Sequence, residues 1–256
     1  MGLLQAGLER RANRAIERQL AFQERKATKI QGREQRVIAR MQAHSAQVRA
    51  RLETVRPIAP DAAVLEVGSG AHGLIFYFGT SNGTGVDPLA DHYAKMFPAW
   101  HGRARTVTAF GENLPFPAAS FDVVLCDNVV DHAESPRRIL EEIVRVMAPG
   151  ALLFFEVNVH HPVYHAAATL HAGWLALGIP FEITPFADHT CHLTPAAAQR
   201  LFDGLPLELV EQRNTVEDVK RAAHATPIRH PGDRLKRWFY KNAAYEVIAR
   251  RSENAA

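Results

Sequence analysis

Cysteine is almost missing from this chain: Cys126 and Cys191 are the only two among 256 residues. With one in a predicted strand and the other in a loop, they do not indicate a disulfide framework, and two reduced thiols are expected. Long apolar runs are missing as well. None approaches the roughly 18 residues of a bilayer-spanning helix, and the N-terminus lacks the apolar stretch of about 7 residues that opens a secretory signal. A soluble protein in a cytoplasmic location is expected. Proline is absent from residues 2–55, where Gly2, Gly7 and Gly32 are the only glycines and Ala, Arg, Gln, Glu and Leu abound. Those residues lose little entropy in a helix, so two helices separated near Gly32 are predicted. Acidic residues are scarce there too. Residues 1–56 carry 13 Lys/Arg against 5 Asp/Glu, or +8 on a chain of net charge +3, leaving −5 for the remainder.

The apolar periodicity sharpens this picture. Leu4, Leu8, Ala12, Ala15 and Leu20 share one face of the first helix, and Val37, Met41, Val48 and Leu52 share one face of the second. Each helix can therefore dock through a narrow stripe. Pro57 and Pro60 close the region, so the expected division is a basic helical extension over 1–56 and a main domain over 57–256. From Asp61 onward short apolar runs alternate with helical patterns, the signature of β-α-β units. Strands are predicted over 62–68, 83–87, 105–110, 121–127, 151–158, 207–213 and 244–251. The runs FDVVLCD and ALLFFEVN are nearly continuous, as strands buried on both faces require. Between them SPRRILEEIVRVM offers Ser135 as N-cap, Pro136 at the first helical position and Pro149-Gly150 as a stop. TPAAAQRLFDGL, capped by Thr194, predicts a further helix.

The first strand runs into VLEVGSGAHG, with glycines at 68, 70 and 73 and an acid, Asp87, 21 residues after Glu66. Such a turn lets a nucleotide approach the backbone, and an acid about 20 residues on can take ribose hydroxyls. A nicotinamide dinucleotide and S-adenosylmethionine both satisfy that pattern. Glu66, at the strand's carboxyl end, repels a pyrophosphate and suits a cationic ligand.

With GVDP at 85–88 and GENLPFPAASFDVVLCDNVVDHAESPRRILEEIVRVMAPGALLFFEVN at 111–158, the chain resembles the class I S-adenosylmethionine-dependent methyltransferases of small-molecule type. That resemblance implies a doubly wound, mostly parallel, Rossmann-like α/β sheet of seven strands, with an N-terminal helical extension and a helical insertion after strand 5. It implies S-adenosylmethionine as cofactor, S-adenosylhomocysteine as product and a small-molecule acceptor. Glu66, Gly68, Ser69 and Gly70 then form the methionine-side loop, Asp87 and Pro88 meet the ribose, and Asp127 and Asn128 lie toward the methionine portion and the acceptor. The sequence departs from the family at two places. His72 stands where the third glycine usually falls, and Phe110 stands where an acid usually meets adenine, which leaves Gly111 and Glu112 to supply polar contacts.

Methyl transfer from a sulfonium needs positioning above all, and a hydroxyl acceptor adds the need for a general base. His132 and His165 are the candidates. Six of the 13 histidines fall between 160 and 192; Asp188, His189, Cys191 and His192 have a zinc-like spacing, but no metal is expected, because ordinary loop histidines explain the density better. The insertion over 159–193, with Tyr164, His165 and Trp174, is expected to cover the acceptor pocket together with the N-terminal helices. Two rival roles follow from the basic helices: a nucleic-acid methyltransferase, disfavoured because DNVV lacks the Asn/Asp-Pro-Pro-aromatic signature, and a non-catalytic cofactor sensor attached to a membrane surface through those helices.

Overall fold

The computed structural model describes residues 20–21, 23–133, 135–164, 166–167 and 191–253. His165 and most of the expected acceptor cover, Trp174 and His189 included, lie outside the described residues, as does the first helix's stripe from Leu4 to Ala15. The described strands are β1 (Ala63–Val67), β2 (Asn82–Val86), β3 (Arg105–Val107), β4 (Phe121–Asp127), β5 (Met147–Val159), β6 (Leu207–Asn214) and β7 (Ala243–Arg251), in the sheet order β3-β2-β1-β4-β5-β7-β6. The predicted seven-stranded, mostly parallel sheet is observed, and β7 runs antiparallel to both its neighbours.

The described residues up to Phe110 and those from Gly111 onward form two compact units. In the first, residues 23–30 are helical, Gly32 takes a left-handed φ of +76°, and α1 (Glu34–Glu53) follows. The predicted stripe of α1 is buried at Met41, Val48 and Leu52, with Ser45 between them. Ser45 is tolerated there because its hydroxyl donates to the Leu74 carbonyl at 2.7 Å. Arg49 extends the docking by donating to the carbonyls of Ile58, Phe78 and Gly79. β1 places Val64, Leu65 and Val67 in the core. No α-helix starts directly after its glycine turn; a short 3-10 segment, Leu74–Tyr77, takes that place, with Leu74, Ile75 and Phe76 buried. Two short helices, α2 (Ala90–Met96) and α3 (Pro98–His101), then lead to β3.

In the second unit α4 (Pro136–Val146) starts at Pro136 as predicted, although Ser135 makes no side-chain cap. It ends one residue early, because Met147 is extended and opens β5. Glu142 is buried on α4 because it accepts from Leu114 N at 2.9 Å and pairs with Arg145 at 2.8 Å. Thr194 does cap α5 (Pro195–Arg200), accepting from Ala197 N at 3.2 Å. Two helices between β6 and β7, α6 (Val216–Ala225) and α7 (Pro231–Trp238), were not predicted from sequence. Among the described residues no helix is long and apolar enough to cross a membrane.

Candidate functional site

In the first unit the glycine turn is pinned to β2: Gly68 N and Ser69 N both donate to the Val86 carbonyl, at 2.7 and 3.0 Å. Ser69 is buried, and its hydroxyl lies over Gly85, where any Cβ would strike it. Gly70 has φ +51° and open space at its Cβ position, apart from van der Waals contact with the Gly68 carbonyl and Asp87. This is the surface on which a ligand can approach the backbone.

Glu66 does a different job from the one its position suggested. Its two carboxylate oxygens accept from Leu74 N and Ile75 N, each at 2.9 Å, and the residue is buried. Instead of reaching toward a cationic ligand, it closes the turn from beneath. Gly73 is required by the same arrangement, since a Cβ there would collide with the Glu66 carboxylate and the Ser69 carbonyl. In a dinucleotide fold, backbone amides at the start of the following helix are the donors that hold a pyrophosphate. Here Leu74 N and Ile75 N, at the start of the 3-10 segment, are already bonded to a carboxylate, and no α-helix follows directly to lend its dipole. Those two amides are therefore not free to hold a diphosphate.

Asp87, just beyond β2, accepts from Gly70 N through Oδ2 at 3.0 Å and from Leu89 N through Oδ1 at 2.8 Å. Burial pushes its carboxyl group up from the ordinary value, and the bonds from Leu89 and Gly70 oppose that push. A carboxylate offers about four acceptor positions, so two remain for a pair of hydroxyls. Pro88 is half-buried beside it. The two predicted elements, turn and acid, are thus joined directly by the Gly70 bond.

His72, in the place of a family glycine, packs its ring 5.0 Å from Phe97 and 5.4 Å from Trp100. Trp100 Nε1 donates to the Ala71 carbonyl at 2.8 Å, so α3 clamps the turn's far side. Burial, with the nearby Lys26, His101 and Arg40 charges, lowers the His72 pKa to about 3; burial lowers that of His101 to about 4. Both rings are neutral near pH 7.

In the second unit Asp127 ends β4 and pairs in register with Glu156 of β5. Asn128 follows in the left-handed region at φ +55°. Asparagine tolerates that conformation better than most residues. Two bonds hold it: Asn128 N donates to the Glu156 carbonyl at 2.8 Å, and Asn158 Nδ2 donates to Asn128 Oδ1 at 2.5 Å. Asn158 was missed in sequence, where it read as the last residue of a strand. Gly111 and Glu112 are half-buried in the loop before β4, and Phe110 is exposed, stacking on nothing described. His132 lies on a 3-10 turn, Val130–His132, with its side chain 47% exposed and Nε2 3.8 Å from Oδ1 of the buried Asp131.

The histidine-rich run yields a pair that sequence reasoning did not single out. His160, immediately after β5, and His192 are both buried with rings 5.1 Å apart. Asn242 N donates to His160 Nδ1 at 3.3 Å, and Cys191 N donates to the Asp131 carbonyl at 2.8 Å. Among the described residues no group of three or more His, Cys, Asp or Glu side chains is arranged to hold a metal ion. Cys126 and Cys191 are free thiols.

Residues 65–155, which include the glycine turn, Asp87 and all of β4, match the methyltransferase domain family. Over that stretch the chain is similar to methyltransferases. Similar curated proteins include the thiol S-methyltransferase TMT1B of Rattus norvegicus, 46% identical over 59 residues, which are 23% of this chain and 24% of that protein. Another is an uncharacterized methyltransferase of Mycolicibacterium gilvum, 38% identical over 76 residues, 29% of this chain and 30% of that one. The match thus spans about a quarter of these relatives' length. The fold is similar to that of the YcgJ protein from Bacillus subtilis, at 17% identity and TM-score 0.56, covering 83% of this chain and all of that one. A Bacillus halodurans protein described as a putative methyltransferase superposes at 14% identity and TM-score 0.57, covering 80% of this chain and 98% of that one.

Proposed function

We propose that the protein transfers a methyl group from S-adenosylmethionine to a small-molecule acceptor in the cytoplasm. The observation that carries this reading is the occupation of Leu74 N and Ile75 N by Glu66 while Asp87 keeps acceptor positions free. A nucleoside without a phosphate fits such a turn: its ribose hydroxyls donate to Asp87, and no anion competes for Leu74 N and Ile75 N. S-adenosylmethionine, when bound, supplies a methyl group already activated by the adjacent sulfonium charge. The chain's own contribution is to bind and orient, which can supply much of the rate enhancement. Asp127 and Asn128 are assigned to the methionine portion, and the Asn158 bond fixes the direction of the Asn128 amide.

The acceptor class is supported by the partial likeness to a protein named as a thiol S-methyltransferase. A thiol or hydroxyl acceptor loses its proton as the new bond to carbon forms. His132 is the residue assigned to take that proton, because its ring is accessible and its Nε2 lies 3.8 Å from Oδ1 of the buried Asp131. The free cysteines support the cytoplasmic assignment. Incubation of the purified protein with labelled S-adenosylmethionine and a panel of small thiols, phenols and amines tests the reading. Acceptor-dependent formation of S-adenosylhomocysteine is expected, and its absence across the panel despite cofactor binding would favour a sensing role.

A further inference from the structure

The helices α6 and α7 stand on the carboxyl edge of the second unit's strands. β6 and β5 both run antiparallel to β7, so the chain leaves β6 at Asn214 on the edge where β5 ends at Val159, and it re-enters at Ala243. The inner face of α7 is fixed to α6: Arg237 donates to the carbonyls of Ala223 at 3.2 Å and Thr226 at 2.9 Å. Asp233 spends its carboxylate on the helix start, accepting from Arg229 N at 3.1 Å and His230 N at 3.0 Å.

The outer face is apolar and cationic. Trp238 is 75% exposed and Ile228 43% exposed, unusual positions for large apolar side chains. Ile228, Arg229, His230 and Arg234 line a shallow, open depression of about 270 Å³. Arg234 lies one helical turn before Trp238, so the two project from the same face. From Thr226 to Lys241 there are five basic residues and one acidic residue. Tryptophan flanked by arginines is the chemistry of a membrane interface, where the ring sits among headgroups and the guanidinium groups meet phosphate. Ile228 argues for lipid over nucleic acid, since an aliphatic side chain gains from an acyl boundary and offers no ring for a base to stack on.

We propose that this face docks the protein on an anionic phospholipid surface, with Trp238 and Ile228 entering the headgroup boundary and Arg229 and Arg234 pairing with lipid anions. The attachment does not depend on methyl transfer. It turns toward the bilayer the same edge that carries His160 and His161, the latter ring lying 5.0 Å from that of Phe239 and 5.5 Å from that of Tyr240.

Co-sedimentation of the full chain with phosphatidylcholine vesicles, with and without phosphatidylserine, provides the test. Binding to the phosphatidylserine vesicles is expected, weakening with salt, and should drop at least about fivefold in Trp238→Ser and in the double variant Arg229→Glu/Arg234→Glu. A blue shift of tryptophan emission on vesicle addition should disappear in Trp238→Phe, a milder change that guards against loss of fold. Circular dichroism matching the wild type separates lost docking from unfolding. No binding to anionic vesicles would overturn the proposal. So would binding that survives these changes but is lost in Arg33→Glu/Arg36→Glu, or a gel shift with RNA or DNA that needs Trp238 while vesicles do not bind.

Discussion

Replacing Glu66 by glutamine should destabilise the protein by about 1.5–3 kcal/mol, the usual worth of one hydrogen bond to a charged group. The carboxylate accepts from two buried amides, Leu74 N and Ile75 N, at 2.9 Å each. A glutamine side chain has one acceptor oxygen, so one amide would face an NH₂ group and lose its partner. Water cannot easily replace it, because Leu74 and Ile75 are themselves buried. For a chain of this size the loss corresponds to a fall in Tm of roughly 3–12 °C. Thermal and urea denaturation of Glu66→Gln beside the wild type, followed by calorimetric titration with S-adenosylhomocysteine, would measure both consequences. The reasoning requires a clear stability loss. Unchanged stability together with abolished ligand affinity would refute it, because that outcome belongs to a carboxylate that touches the ligand and does not hold the turn.

Asp87→Asn should weaken cofactor affinity by more than about tenfold, through loss of a charged acceptor, and calorimetry would detect it. Because burial raises the Asp87 pKa, affinity should also fall on acidification at a higher pH than an ordinary carboxylate would give; an affinity flat with pH down to the usual carboxylate range would contradict that. His72 and His101 are held neutral when folded, with pKa values of about 3 and about 4. Their unfolded forms take up protons near pH ~6.5, so stability should be full above that pH and decline as pH falls toward ~4. Urea midpoints measured across that window should show the decline, and His101→Phe should flatten it. Asn158→Ala removes the bond that orients Asn128 and should raise the KM for cofactor by about fivefold, in line with a bond worth about 1 kcal/mol, while leaving Tm within a few degrees. His132→Gln should lower kcat for thiol acceptors with little change in cofactor affinity, as steady-state kinetics would show.

Where periodicity and strong local signals agreed, the sequence was a good guide. The buried runs FDVVLCD and ALLFFEVN became β4 and β5, and Pro136 opened α4, since each choice there is dictated by local sterics and by burial on both faces. The α6 and α7 segment escaped because its large apolar residues are few and two of them, Ile228 between the helices and Trp238 at the end of α7, face outward. Within the candidate site the glycines and Asp87 were legible as a pattern, yet the direction of the Glu66 side chain was not. A carboxylate at a strand end can face a ligand or its own loop, and the choice depends on amides eight and nine residues later. Asn158 and the His160–His192 pair are contacts between residues 30 and 32 positions apart, which no local pattern encodes.

The central claim is that this turn, with Leu74 N and Ile75 N already bonded to the buried Glu66 carboxylate, takes a phosphate-free adenosyl ligand in preference to a dinucleotide. Calorimetric titration of the purified protein with S-adenosylhomocysteine and, separately, with NADH tests it most directly. Saturable binding of the first, lost in Asp87→Asn, and no heat from the second are expected; binding of NADH without binding of S-adenosylhomocysteine would contradict the account.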